Sequence, residues 1–234
     1  MKQKTNVIYY LILSITAAIL LLTLAFFNSS NTASVDIYDK LFVGGVFITI
    51  CLFGISLAIY PGWFKRFIKQ EKQNPNRRQT QKAARKRKGH HPDCDQFQNH
   101  TIRINNKMFC AGCLGLSIGA ILSIFLMILY IVIGNELYFT TFYFFMSLGL
   151  IIIGLVYIEI MLPIRHTIIH VISNVFLVVS FLLIVVCIFE ITGNKIYGAV
   201  SMLLSFLWLD TRIQLSYWQH SLICNNCTEQ CKMY

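Results

Sequence analysis

The chain has 234 residues, is 56% apolar and only 13% charged, and carries a net charge of +10. Soluble domains are about half apolar and a quarter charged, so this balance describes a surface that faces lipid. At ~20 apolar residues per crossing, the length accommodates about six spans with short connections and excludes a large separate soluble domain.

In chain order, apolar runs cover 7–27, 41–60, 111–134, 138–160 and 169–189, and a shorter one covers 196–209. The first five are long enough to span and almost free of charge. The first has a positive start at Lys2 and Lys4, but its apolar stretch is too long for an ordinary cleaved signal, so a retained anchor is expected. The sixth run would make a helix of only ~21 Å. It spans if the helix continues through Asp210 and Arg212 with those groups reaching the interface; the alternative is an interfacial helix. The expected fold class is an all-α integral membrane bundle of about six transmembrane helices with a cytoplasmic loop containing cysteine and histidine.

Orientation follows from the basic residues. Eighteen Lys and Arg fall on one side of this arrangement and two, Lys40 and Lys195, on the other. The positive-inside rule therefore puts both termini and the long loop of a cell-membrane protein in the cytoplasm. That loop holds thirteen of the eighteen, from Lys65 to Lys107. Its first part, from Lys65 to Lys88, is too polar to bury a core. Arg85, Lys86, Arg87 and Lys88 suit anionic lipid headgroups, at about 1 kcal/mol each near the surface. Nucleic acid is disfavoured as a partner, because the charge flanks membrane spans and lacks interleaved aromatic residues. The chain divides into two N-terminal transmembrane helices (1–60), a basic linker (61–88), a Cys/His segment (89–113), a four-helix membrane domain (111–218) and a Cys-rich tail (219–234).

Within the loop the texture changes to His90, His91, Pro92, Asp93 and Cys94, followed by His100, Cys110 and Cys113. Two cysteines separated by Ala111 and Gly112 can turn toward one ion, and a small spacer permits the tight turn. Cys94 and His100 complete a set of three thiolates and one imidazole, with His91 competing for the fourth place. His220, Cys224, Cys227 and Cys231 form a second possible set near the C-terminus. A reducing cytoplasm disfavours structural disulfides, which leaves metal binding or reactive thiols. Zinc is the first expectation for such ligands, and iron or an iron–sulfur cluster the second. Soft sulfur ligands argue against magnesium and calcium. Cys51 and Cys187 sit inside apolar spans as packing residues.

His166, His170 and Asn174 recur at four-residue spacing and are expected on one intramembrane polar face, bonding between helices, holding a metal or haem through the two histidines, or lining a path. Glu159 and Arg165, on either side of Pro163, are placed for a local ion pair, and with Asp210 and Arg212 on the same side these groups can converge beneath the cysteine cluster. Gly115 and Gly119, four apart in the third span, allow close helix packing.

The stretch Cys94-Asp95-Gln96, with Phe109-Cys110-Ala111-Gly112-Cys113-Leu114-Gly115 and Gly119, resembles an uncharacterised prokaryotic membrane-protein family catalogued as domain of unknown function twenty eighty-five. The resemblance carries Cys94, Gln96, Cys110, Cys113, Gly115 and Gly119 onto family positions, with Asn174 matching an asparagine in a later span. Asp95 stands where the family has histidine, and Gly112 where it has arginine. The family implies a site and supplies no activity.

No nucleotide loop, serine triad or paired catalytic carboxylates occur in the sequence, which points away from soluble hydrolase and kinase chemistry. The leading function is a membrane protein with a cytoplasmic Cys/His metal site, structural or metal-handling. A membrane thiol–disulfide or electron-transfer oxidoreductase using Cys110 and Cys113 is the alternative, and a small transporter the third. One topological expectation is directly measurable. A cysteine introduced by Thr80→Cys will resist a membrane-impermeant maleimide on intact cells and react after lysis; labelling from outside would reverse the orientation.

Overall fold

The computed structural model describes residues 2–29, 35–59, 101–104, 107–133, 139–162 and 166–225. The basic linker, His91, Cys94, His100, Arg165, Cys227 and Cys231 lie outside the described residues, as do the side chains of His220 and Cys224.

In a bilayer every backbone polar group must be satisfied internally, and continuous apolar sequence meets that demand as helix. Six helices long and apolar enough to cross a membrane occur among the described residues. They are α1 (Lys2–Phe27), α2 (Ile37–Ile59), α3 (Ala111–Ile133), α4 (Phe139–Met161), α5 (Thr167–Thr192) and α6 (Lys195–Asn225). A short antiparallel hairpin, β1 (Thr101–Ile104) and β2 (Lys107–Cys110), leads directly into α3. The protein is an all-α, multi-pass membrane bundle with this one hairpin at its loop end. Ile12, Ile19 and Phe26 of α1 and Ile121, Phe125 and Val132 of α3 are exposed, as lipid-facing side chains are.

The bundle is organised about α5, the most deeply buried helix. Helices α3 and α4 pack along it, α6 and α1 also touch it, and α2 lies against α3. The two N-terminal helices are thus packed into the bundle, α1 on α6 and α2 on α3, beside the four that follow them.

Close approach of α3 to α5 depends on missing side chains. A Cβ at Gly115 would lie 2.5 Å from the Val171 carbonyl oxygen, and one at Gly119 would lie 2.9 Å from that of Val175. The small-residue packing expected from the sequence is therefore present.

Buried hydroxyls fasten α1 to α4 and α6. Ser14 Oγ and Thr211 Oγ1 are 2.7 Å apart, Tyr157 donates to the Trp208 carbonyl at 2.8 Å, and Trp208 Nε1 donates to the Ser14 carbonyl at 3.1 Å. At the far end, Lys40 pairs with Glu190 at 3.2 Å, Tyr130 donates to the same carboxylate, and Lys195 meets Asp39 at 2.8 Å. Both basic residues expected on that side are thereby paired. Gly193 ends α5 with φ 62°, a left-handed cap whose N–H donates to the Phe189 carbonyl, and α6 begins two residues later.

The sixth span differs in detail from the sequence expectation. The helix does continue through Asp210 and Arg212, and it runs on to Asn225, past the boundary drawn at 218. Arg212 does not reach toward the interface: it is 8% exposed and turned into the bundle. Asp210 takes a hydrogen bond from the Tyr10 hydroxyl of α1. The apolar run understates the length of this helix, and periodicity does not say which neighbour meets its polar face.

Overpacking a close helix contact costs about 1–3 kcal/mol. Gly115→Ala should therefore lower the thermal unfolding temperature in detergent. Gly154→Ala, where a new Cβ meets nothing within 4 Å, should not. Equal melting of the two variants would contradict the seam.

Candidate functional site

The loop end of the bundle gathers the polar chemistry of the protein. Cys110 closes the hairpin, where it is paired with Thr101, and α3 starts at the next residue. Ala111 and Gly112 form the first turn of α3, and Cys113 follows, so the helix brings the two sulfurs back to one side. Their side chains are in hydrogen-bond contact, and neither is in a disulfide. Both are partly buried. The pair sits at the N-terminal, positive end of α3.

Arg212 arrives from α6. A Cβ placed on Gly112 would lie 2.5 Å from one guanidinium nitrogen of Arg212 and 3.4 Å from His170 Nε2. The spacer glycine is thus the surface on which the guanidinium rests, with the imidazole just beyond it. The charge of Arg212 acts on Cys110, Cys113 and Glu159.

His170, 4% exposed, joins the site from α5. Its Nδ1 lies 3.2 and 3.3 Å from the two carboxylate oxygens of Glu159 on α4, and Ser173 donates to Glu159 Oε2 at 3.2 Å. An imidazole held this way by a carboxylate has a fixed ring orientation. Asn174 is fully buried, and its amide donates to the His170 carbonyl. Its Oδ1 has no partner among the described residues.

The expected polar face is therefore narrower than its four-residue spacing implied. His170 and Asn174 share it, whereas His166 is exposed in extended backbone ahead of the first turn of α5. The helix begins too late to carry His166 onto that face. Glu159 is engaged by His170 and Ser173, and its expected ion pair with Arg165 lies outside the described residues. Ser173 was not foreseen, whereas the Arg212 contact is the convergence beneath the cysteines that the sequence allowed. Ser173 lies three residues after His170, which puts the two on one side of a helix, but nothing in the sequence names Glu159 as their common partner.

As a ligand set, the described residues supply two soft donors, Cys110 and Cys113. Among the described residues no group of three or more His, Cys, Asp or Glu is assembled to hold a metal ion. Cys51 and Cys187 are buried in the bundle, as expected of packing residues. Comparison with known proteins finds no matching family model, no matching curated protein and no matching solved structure.

Removing a buried acceptor costs about 1–3 kcal/mol, because its donors lose their partner. Glu159→Ala should destabilise the protein by that amount in detergent unfolding. Unchanged stability would mean that the carboxylate does not hold His170.

Proposed function

We propose that this multi-pass protein holds a soft metal ion, zinc before iron or an iron–sulfur cluster, in a thiolate centre built on Cys110 and Cys113 at the cytoplasmic mouth of α3. The carrying observation is the contact between the two sulfurs at a helix N-terminus, beside a buried guanidinium. Zinc thiolate sites take four ligands, commonly three cysteines and one histidine. Cys94 and His100 are the remaining candidates, with His91 as an alternative imidazole. The tail residues His220, Cys224, Cys227 and Cys231 constitute a second candidate set. In this reading the metal fixes the loop against α3, or is received and passed on there. The excess of basic residues on this side supports a cytoplasmic site in the cell membrane, with the linker lying on anionic headgroups.

A second reading rests on the same sulfur contact. The pair is close enough to join, releasing two protons and giving two electrons to a membrane quinone, as a thiol oxidoreductase would. Cytoplasmic placement counts against this reading, because the reducing compartment already keeps such thiols apart.

Elemental analysis of protein purified anaerobically separates the two. The metal reading expects near-stoichiometric zinc or iron in the wild type and loss of most of it in Cys113→Ser. Metal-free wild type whose Cys110 or Cys113 is trapped in a mixed disulfide would instead favour exchange chemistry.

A further inference from the structure

We propose that α2 is a hinged helix, pinned at the far end of the bundle by Lys40, Glu190 and Tyr130, whose other half swings as a flap beside the start of α3. The hinge concerns access to the loop end and is independent of the chemistry assigned to the two sulfurs.

Helix α2 is attached unevenly. Its buried residues are Val43, Gly44, Phe47 and Cys51, and none of residues 52–59, which complete the helix, is buried. Its neighbours differ: α1 buries residues from Val7 to Ala25, α3 from Ala111 to Tyr130 and α4 from Phe142 to Ile160. The contacts that α2 does make are strongest at its start. The Lys40 and Glu190 side chains are 12% and 11% exposed and lie 3.2 Å apart. Tyr130 donates to the same carboxylate, and the Lys40 ammonium lies 5.2 Å from the centre of its ring. Gly44 fits against Ile131, where a Cβ would meet the side chain at 2.5 Å. Removing one partner of a mostly buried ion pair strands the other charge, so this end resists separation.

The weakly held end stands beside the thiols. Helix α2 begins next to Tyr130, near the end of α3, and runs back along it, so the two are antiparallel. At ~1.5 Å per residue, Ile59 lies about 22 Å along α2 from Gly44. The same count back from Met127 and Ile131, which meet Gly44, reaches residues 112–116 of α3. That stretch includes Cys113. A segment with few buried apolar contacts opens at little cost in free energy, so the end of α2 moves before the rest of the bundle does. Its swing changes how far this side of α3 is covered and leaves the glycine seam with α5 in place.

The test uses the full chain in lipid nanodiscs, with spin labels introduced on a non-natural amino acid so that the native cysteines stay unlabelled. Pulsed double electron–electron resonance then reads three pairs of exposed positions: Leu41 with Val132 at the far end, Ile59 with Ile118 at the loop end, and Ile118 with Ile169 as a loop-end reference. The first and third pairs should give narrow distance distributions. The Ile59–Ile118 distribution should be about twice as wide, or split in two, as expected of a locally opening segment. Glu190→Gln, which removes the charge and keeps the size, should widen the Leu41–Val132 distribution and leave the reference pair unchanged. Lys40→Gln serves in its place if Glu190→Gln does not fold. Equal widths in the three wild-type pairs would overturn the hinge. A reference pair as wide as Ile59–Ile118 would also overturn it, because the whole loop end would then be loose. An unchanged far end in both variants would show that the charged cluster does not pin the helix, and would equally refute the proposal.

Discussion

A guanidinium that cannot shed its proton is buried at the loop end of this bundle, and the surrounding groups are arranged around that fixed charge. Arg212 comes from the last helix, the two sulfurs from the start of the third, and Glu159 with His170 from the fourth and fifth. Four helices therefore contribute to one polar cluster in a bundle whose described spans expose mainly apolar side chains. In a low-dielectric interior such a cluster is stable only when its charges and hydrogen bonds are mutually satisfied. Glu159 meets that requirement through His170 and Ser173. Arg212 rests against Gly112 between the two cysteines, with Glu159 among the groups its charge acts on.

The cluster depends on the seam between α3 and α5. Gly115 and Gly119 let the two backbones approach closely, and the same approach brings the N-terminus of α3 alongside His170 and Asn174. Gly112 extends the row of glycines by one turn and uses the space differently, admitting a side chain from a third helix. At the opposite end, Lys40, Glu190 and Tyr130 fasten α2, α3 and α5 together. The bundle is thus closed by charge at both ends and by glycine contact between them.

Much of this architecture was legible in the sequence because lipid imposes a simple rule: long apolar runs become helices. The six spans and the close packing at Gly115 and Gly119 followed from run length and small-residue spacing. Packing roles for Cys51 and Cys187 followed from their apolar surroundings. The hairpin from Thr101 to Cys110 was not foreseen, since it is short and follows a polar segment with no alternating pattern. Arg212 was placed at the interface, because helical periodicity says which residues share a face but not which neighbour that face meets. His166 was grouped with His170 and Asn174 on spacing alone, a rule that fails where the helix has not yet begun. Within the site, the sequence identified the cysteines by their separation. The carboxylate, imidazole and guanidinium beside them come from three different helices, so only tertiary packing reveals their proximity.

Metal-edge X-ray absorption on the anaerobically purified protein addresses the proposed sulfur coordination most directly, because it counts the atoms bound to an ion. A shell dominated by sulfur at about 2.3 Å, with a minor nitrogen contribution, is the result expected of a zinc thiolate centre facing Arg212. A first shell of nitrogen and oxygen alone would contradict it.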